Sequence, residues 1–461
     1  MALKKPPYRV LIAMMVLWST ALNYCFQTFF PVTLIAMLDR NKTVKLENGT
    51  ETSQMPPDYG PRYPWTPFQE GQLIGAYFYG YSISSLPGGP IAEYFGPYWT
   101  VIVSSSICAA ITSASVFAVM ENWVPLFVCR LLVGLSGGVQ YPSLQCLMGA
   151  WAPPNEKGKF TACLMGNVLG CVITQSIVGF LVSTMGWTWG FYFTGMNSAL
   201  FLIGWVLLVS DYPEQNWFCG AEEVAYIKES HAGSVKIGKS KPPILQILTS
   251  IPFLSLIIGQ FGSLWGLYLL LTVVPKFMAD VLKFNLKGVG FLSSTPGISR
   301  LISGFIFGAI ADFFIKRELV KKVVVRKGFI TFSHFLPGIV MFLYLAIEDN
   351  VPIAVALLII MMAFNGACVV TIIVNPQDLA PNYAGTQFGI MNFFGSMPGF
   401  IIPAKVGELT KYKSEPPEWA IIFGITGIIY ISTGIVFVLF GSADLQPWNE
   451  KRETGPAEGG R

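Results

Sequence analysis

The sequence predicts an all-α membrane protein that crosses the bilayer twelve times. Three observations carry that prediction. Hydrophobic residues make up 53% of the 461-residue chain and charged residues only 12%, about half the charged share of an ordinary soluble protein. Twelve apolar stretches are each long enough for a hydrocarbon core of about 30 Å, which takes about 20 helical residues. Lys and Arg gather in alternate connections, the asymmetry that orients membrane helices.

In order, the stretches run roughly over 10–38, 71–95, 98–120, 123–151, 160–185, 189–209, 251–275, 288–315, 328–347, 351–375, 386–410 and 419–441. The first is too long and too poorly flanked for a cleaved signal peptide, so it is read as a retained span. It carries Asn23 and Gln27 four residues apart; the second places Tyr77, Tyr81 and Ser84 or Ser85 along one helical face. Spans three and six hold no charge. The fourth contains Arg130, the fifth Gly166 and Gly170, the seventh Gln260, Ser263 and Tyr268, and the eighth Arg300. Spans nine, ten and twelve are apolar; the eleventh mixes Gly389, Asn392, Gly395, Pro398 and Gly399. Trp123, Trp151 and Trp187 stand near span ends, where aromatic residues anchor helices at the membrane interface.

With the N-terminus placed in the cytosol, 18 of the 30 Lys and Arg fall on the cytosolic side, 9 outside and 3 within spans (Arg130, Arg300, Lys405). The strongest signal is the loop "IKRELVKKVVVRKG" after span eight. Both N-x-S/T sequons, at Asn41 and Asn48, then lie in the first outside loop, where glycosylation would reach them. Seven of eight cysteines lie in apolar runs, no CxxC occurs, and the only histidines are His231 and His334. Neither a disulfide framework nor a metal site is indicated. A net charge of +4 is too small to suggest a nucleic-acid partner, and no basic cluster alternates with aromatics. No HExxH, nucleophile elbow or Gly-rich phosphate loop points to an enzyme.

The longest internal connection, Asp211 to Lys241, divides the spans six and six. The expected layout is an N-terminal half over 1–209, a cytosolic linker over 210–250, a C-terminal half over 251–441 and a cytosolic tail over 442–461. The halves echo each other. "GPIAE" (Gly89 to Glu93) ends span two and "GAIAD" (Gly308 to Asp312) ends span eight, 219 residues later. Duplicated six-helix halves with a ligand site between them at mid-bilayer are the layout of the major facilitator fold.

Four segments make a more specific resemblance. "FYGYSISSLPGGPIAEYFG" (78–96), "RLLVGLSGGVQYPSLQCLMGAWAPPNEKGK" (130–159), "GAIADFFIKRELVKKVVVRK" (308–327) and "NPQDLAPNYAGTQFGIMNFFGSMPG" (375–399) resemble the sialin, vesicular glutamate and type I sodium/phosphate transporter family. The resemblance implies transport of inorganic phosphate or an organic anion, with coupling to sodium, protons or voltage. It implies that Arg130 contributes to anion recognition. The chain also departs from the family: Gln27 stands where an arginine is frequent, Gly137 where sialin-like members have a glutamate, and Arg300 where most have no charge.

On a helix, Arg130, Gly134, Gly137 with Gly138, and Tyr141 share a face, open to a neighbouring helix or a ligand. Arg130 lies about 10 Å below Trp123, within reach of the surface by snorkelling. Arg300 is deeper, about 18 Å into its span, with no mid-membrane carboxylate to neutralise it. A central arginine costs roughly 2.5–3.5 kcal/mol on insertion scales, so each needs a cavity or a partner. The candidate substrate-binding set is Arg130, Arg300, Gln27, Tyr77, Tyr81, Tyr141 and Asn392. The candidate gating set is Gly89, Glu93, Gly308, Asp312 and Arg317, since a carboxylate at a span end can accept from a helix N-terminus in the same half.

The expected function is secondary transport of a small anion, with Na+ or voltage rather than a proton as the drive, because the near-membrane acids recognised are only Glu93, Asp312 and Glu408. No cofactor is implied, and the unit is expected to be a monomer. No acidic dileucine precedes the first span, which favours the plasma membrane over a lysosomal or vesicular one. The competing class is a membrane sensor of facilitator ancestry that binds without transporting.

Overall fold

The computed structural model describes residues 7–38, 43–45, 51–53, 60–119, 122–153, 160, 163, 166–232, 242–346, 351–380 and 383–449. Twelve helical segments cross the bundle: α1 Tyr8–Met37, α2 Pro67–Phe95, α3 Pro97–Ala118, α4 Val124–Trp151, α5 Gly166–Met185, α6 Thr188–Leu208, α7 Ile251–Asp280, α8 Leu286–Lys316, α9 Lys322–Leu343, α10 Val351–Leu379, α11 over 384–409 and α12 Pro416–Phe440. Ten of them are long and apolar enough to be recognised as spans on those grounds alone. The other two, α2 and α11, are rich in glycine and proline, and they pack on each other between the halves. Two short strands, β1 Thr43–Lys45 and β2 Glu51–Ser53, pair antiparallel between α1 and α2.

Local chemistry sets the ends. Thr66 and Gln69 form a reciprocal capping box ahead of Pro67, so α2 begins four residues before its apolar run does. Gly96, at φ 85°, breaks α2 from α3, and Pro97 starts the next helix. The Asp211 carboxylate, arriving from the end of α6, accepts from Tyr98 N at 2.7 Å in the first turn of α3. Burial raises the Asp211 pKa above the usual carboxylate value, and this backbone donor partly offsets it.

Three spans of the second half contain π-helical turns: Leu269–Val273 in α7, Thr331–Phe335 in α9 and Val369–Ile373 in α10. Each lies just ahead of a proline, Pro275, Pro337 or Pro376. Proline has no N–H to give the carbonyl four residues back, and a wider turn re-registers the ladder around the gap.

Within the first half α1 packs on α5, α2 on α4 and α3 on α6; within the second, α7 packs on α12, α8 on α10 and α9 on α12. The halves meet along α2 with α11 and α5 with α8. One face of the bundle carries the long 38–66 connection and is here called the loop face. The opposite face carries the start of α1, the end of α12 and the connection between α6 and α7.

Several expectations need correction. Trp151 is fully buried, with Nε1 donating to Ser210 O at 2.9 Å, and Trp187 is buried, with Nε1 donating to Pro61 O at 2.9 Å. Both tie loops to the bundle instead of anchoring it in lipid, because an indole N–H held by a backbone carbonyl tolerates burial. The ninth span starts at Lys322, six residues earlier than its hydropathy suggested. Arg326 is therefore a buried helix residue, paired with Asp378 at 2.8 Å and donating to Val370 O at 2.7 Å. It does not belong in the count of loop cations.

Candidate functional site

The packed interior holds several buried tyrosines and two buried arginines, Arg130 within the first half and Arg300 where the halves meet. Arg130 projects from α4 and is only 2% exposed. Its Nη1 donates to Phe26 O of α1 at 2.8 Å. Its guanidinium carbon stands 4.5 Å from the centroid of Phe30, 5.5 Å from that of Phe29 and 5.4 Å from that of Tyr77. Three ring faces offset part of the cost of burying the charge. Nε and Nη2 are buried without a hydrogen-bond partner. The snorkelling alternative is set aside: the side chain turns towards α1 and away from the surface.

The glycines of α4 answer a different need. A methyl group at Gly134 would collide with Tyr77 O, one at Gly137 with Tyr77 Oη, and one at Gly138 with Ser84 Oγ and Tyr81 O. They receive helix α2, and by letting its backbone approach they place Tyr77 beside Arg130. Gln27 completes this corner: its Nε2 donates to Asn23 Oδ1 at 3.1 Å, and Asn23 Nδ2 donates to Gly137 O and Gln140 Oε1, each at 2.9 Å. Gln27 Oε1 and Tyr77 Oη, like the Arg130 nitrogens, are buried and make no short hydrogen bond, although the Gln27 amide lies beside the Tyr77 hydroxyl.

Arg300 occupies the facing half. Nε donates to Asn365 Oδ1 at 2.8 Å and Nη2 to Cys368 Sγ at 3.3 Å, both on α10. Asn365 Nδ2 in turn reaches Tyr430 Oη at 3.1 Å and Ser263 Oγ at 3.4 Å. The guanidinium is within electrostatic reach of Tyr24, Tyr141 and Cys171 on the opposite half, which puts it at the interface between halves. Its side-chain partners are neutral, so its positive charge is not cancelled.

Tyr81 stacks on Tyr77 at 5.8 Å and its hydroxyl accepts from Asn392 Nδ2 at 3.2 Å, linking α2 to α11. Tyr141 stacks on Phe388 across the halves at 5.7 Å, below the centre on the face away from the 38–66 connection. Four of the seven candidate substrate-binding residues thus lie where the halves meet, and the other three lie within the first half. Arg130, Gln27 and Tyr77 form one group; Tyr81, Asn392, Tyr141 and Arg300 belong to the interface itself. Sequence reasoning missed Tyr24, Asn365, Cys368 and Tyr430. Asn365 was findable, as a lone amide in the apolar run "MMAFNGACVV".

Contacts between the halves differ by depth. Towards the loop face they reach backbone level: a methyl at Gly71 would strike Pro403 O, one at Gly407 would strike Pro67 O, and one at Gly290 would meet Gln175 O at 2.5 Å. Ser82 and Ser396 hydroxyls pair at 2.6 Å, and Ser176 Oγ donates to Ser294 Oγ at 3.1 Å. Towards the other face, a methyl added at Gly89 or Gly308 would meet nothing within 4 Å. Close packing therefore does not require these two glycines in this conformation. Arg317 ends α8 exposed, with its guanidinium 4.5 Å from the Phe313 ring centroid. Glu93 and Asp312 are helical, but their side chains lie outside the described residues, as do Asn41 and Asn48 entirely.

The acid inventory also needs correction. Glu70 is buried in the first turn of α2 and pairs with buried Lys276 of α7 at 2.5 Å. The sequence had placed both just beyond their spans. Two grooves of about 430 and 320 Å³ lie elsewhere, one at Trp189, Tyr192 and Met196 and one at Phe307, Phe329 and Phe332. Neither is lined by a charged residue, so neither suits a small charged ligand.

A twelve-helix bundle of two halves, with one buried arginine inside the first half and another where the halves meet, defines a facilitator-type membrane transporter. The sequence profile of the Major Facilitator Superfamily matches residues 16–403. The chain belongs to that superfamily and, within it, to the family of sialin and the vesicular glutamate transporters. It is 30% identical to sialin of Homo sapiens over 95% of this chain and 90% of the relative. It is 30% identical to vesicular glutamate transporter 2 of Homo sapiens over 97% and 76%. Among solved structures, a D-xylose-proton symporter matches with a TM-score of 0.64 at 15% identity, covering 95% of this chain and 98% of that one. The inward-open xylose transporter XylE from E. coli matches with a TM-score of 0.65 at 12% identity, covering 93% and 96%. These two likenesses are of fold. The family consists of transporters, and the chain is a multi-pass membrane protein of that kind, not an enzyme.

Proposed function

We propose that this transporter moves a small anion, inorganic phosphate or an organic carboxylate, by alternating access, with sodium or voltage as the drive. The observation that carries the proposal is Arg130: a buried guanidinium with two unpartnered nitrogens and no salt bridge among the described residues. A guanidinium fork fits a carboxylate or phosphate in two-pronged fashion, and an entering anion supplies the missing acceptors. Arg300, with only neutral side-chain partners, adds a second positive charge on the facing half. Relatives named for glutamate support the same chemical class.

In the proposed orientation both termini are cytosolic and the loop face is outside, which agrees with the distribution of basic residues. We place the protein in the plasma membrane on the sequence ground given above, and surface biotinylation of intact cells checks that placement. The gate set Glu93, Asp312 and Arg317, with Gly89 and Gly308, stands at the cytosolic ends of α2 and α8.

Purified protein in liposomes tests the function. Phosphate and a panel of organic carboxylates are offered while the sodium gradient, pH gradient and membrane potential are varied one at a time. Saturable anion flux that follows sodium or voltage is expected. Specific binding without saturable flux would replace the transporter reading with a sensor.

A further inference from the structure

We propose that the groove between α8 and α9 binds one anionic phospholipid, with an acyl chain in the groove and the phosphate at the cations beside its mouth. The groove holds about 320 Å³ and is lined only by apolar residues and Gly328. Helical spacing builds its two walls. Phe307, Ile310 and Phe314 recur at three and four residues along α8; Val320, Val324, Gly328 and Phe332 recur at four through the turn and along α9. Val325 and Phe329 are buried beneath them. The deep end is closed by Phe307, whose ring centroid lies 5.9 Å from that of Phe329 and 5.5 Å from that of Phe332. A methyl group added at Gly328 would meet nothing within 4 Å, so the α9 wall is notched where a side chain could have stood.

The charges identify the occupant. The groove itself carries none, so it takes hydrocarbon, which any lipid could supply. Its mouth is different. Helix α8 ends at Lys316 and α9 begins at Lys322, and Arg317, Lys321 and Lys322 between and beside them are exposed. None of these three makes an ion pair among the described residues, whereas Arg326, one turn further on, is already held by Asp378. Glu318 is the only acid in 313–332. Phe314 lies three residues before Arg317, and Val324 three after Lys321, so the cations stand about one turn beyond the apolar walls.

The turn between the helices keeps the cations together. Glu318 adopts φ 52°, with its N–H donating to Ile315 O and that of Leu319 to Phe314 O, each at 3.1 Å. The reversal is therefore tight, and a phosphate placed over it meets several cations while its chain descends between the walls. A zwitterionic lipid would fill the groove equally well but gain little from the mouth. In the proposed orientation this turn lies at the cytosolic leaflet, where anionic phospholipids are concentrated. The site is separate from the arginines of the interior, and it requires no particular transported substrate.

Photo-crosslinking in nanodiscs tests it. The full chain is reconstituted with phosphatidylglycerol or phosphatidylcholine bearing the same mid-chain diazirine as a minor component, and adducts are mapped by peptide mass spectrometry. Adducts on 305–332 should be roughly tenfold more frequent with phosphatidylglycerol. Lys321→Gln with Lys322→Gln should reduce that preference to about threefold or less, with Arg317 left in place. Gly328→Leu, which fills the notch, should remove most adducts of both lipids from the groove and leave those elsewhere on the chain unchanged. Equal labelling of the parent protein by the two lipids overturns the proposal and leaves only ordinary boundary lipid. A preference that survives the double lysine substitution also overturns it, as do undiminished groove adducts in Gly328→Leu at a parental melting temperature. Chain-to-chain adducts in place of lipid adducts would give the groove to a second copy instead. If Gly328→Leu fails to assemble, the lysine variant decides, because both of its positions are exposed.

Discussion

Arg300 Nε donates to Asn365 Oδ1 at 2.8 Å, and the same amide gives its nitrogen to Tyr430 Oη at 3.1 Å. The tyrosine and Ser263 fix which way the amide points, so its oxygen faces the guanidinium. The arginine is oriented by a neutral network, and its charge remains available to a ligand at the interface.

Replacing Arg300 should accordingly weaken an anion more than it weakens the fold. A charged hydrogen bond contributes about 1.5–3 kcal/mol, so Arg300→Gln should raise the half-saturating concentration about ten- to a hundredfold. Arg300→Lys should rescue only part, because an ammonium cannot reproduce the planar fork that meets Asn365 and Cys368 together. Concentration-dependent uptake, normalised to folded protein in the membrane, measures both. Near-normal uptake by Arg300→Gln would make Arg300 a structural residue.

Arg130 is predicted to be as intolerant of lysine as of glutamine. A surface-reaching side chain would have made lysine mild, but Arg130 is dry, enclosed by Phe29, Phe30 and Tyr77 and bound to Phe26 O. Lysine would carry the full desolvation cost with a donor geometry that does not match. Uptake by Arg130→Lys reduced at least about tenfold is the expected result. Full activity in that variant would show that charge alone suffices there.

Much of this architecture could be read from hydropathy, because twenty apolar residues in lipid have few options besides a helix. Every span was located, with α9 misjudged since Lys322, Arg326 and Lys327 look like loop when Asp378 is not known to be near. The two arginines were legible for the same reason, being charges where charges are costly. Their partners were not. Nothing local in the sequence joins Glu70 to Lys276, or Arg300 to Asn365, because those pairings depend on which helices become neighbours. The glycines of α4 were seen as a face, but only the packing shows that α2 fills it.

Glycosylation gives an independent check of orientation. If the loop face is outside, glycosidase should lower the apparent mass, and Asn41→Gln with Asn48→Gln together should abolish that shift. A glycosidase-sensitive shift that persists in the double variant would refute the placement of the sugar.

Glu93→Gln and Asp312→Asn are predicted to change turnover more than affinity. Both residues end their helices a long way from Arg130, beside glycines that have open space around them. Loss of charge there should bias the opening of that face by about 1–3 kcal/mol, the usual scale of a conformational coupling. Maximal rate and half-saturation are measured for each. A large affinity loss at unchanged maximal rate would move these carboxylates into the binding site.

Gly71→Ala and Gly134→Ala make an informative contrast, because the same added methyl meets backbone oxygen in both. At Gly134 the obstacle is Tyr77 O, on a helix of the same half. That contact persists whichever way the halves rock, so the strain cannot be escaped, and overpacking of this kind costs about 1–3 kcal/mol. The expected outcome is a lower melting temperature in detergent together with weakened anion binding, since Tyr77 is displaced from Arg130. At Gly71 the obstacle is Pro403 O, on the other half. Here the strain disappears when the loop face opens, so the population shifts and the fold is spared. Gly71→Ala should therefore keep a near-parental melting temperature, label faster from the loop face at an Ile74→Cys reporter and turn over more slowly. Thermal unfolding and maleimide labelling on the same preparations distinguish the two. Equal destabilisation by both substitutions would mean that the halves do not separate at Gly71 during the cycle.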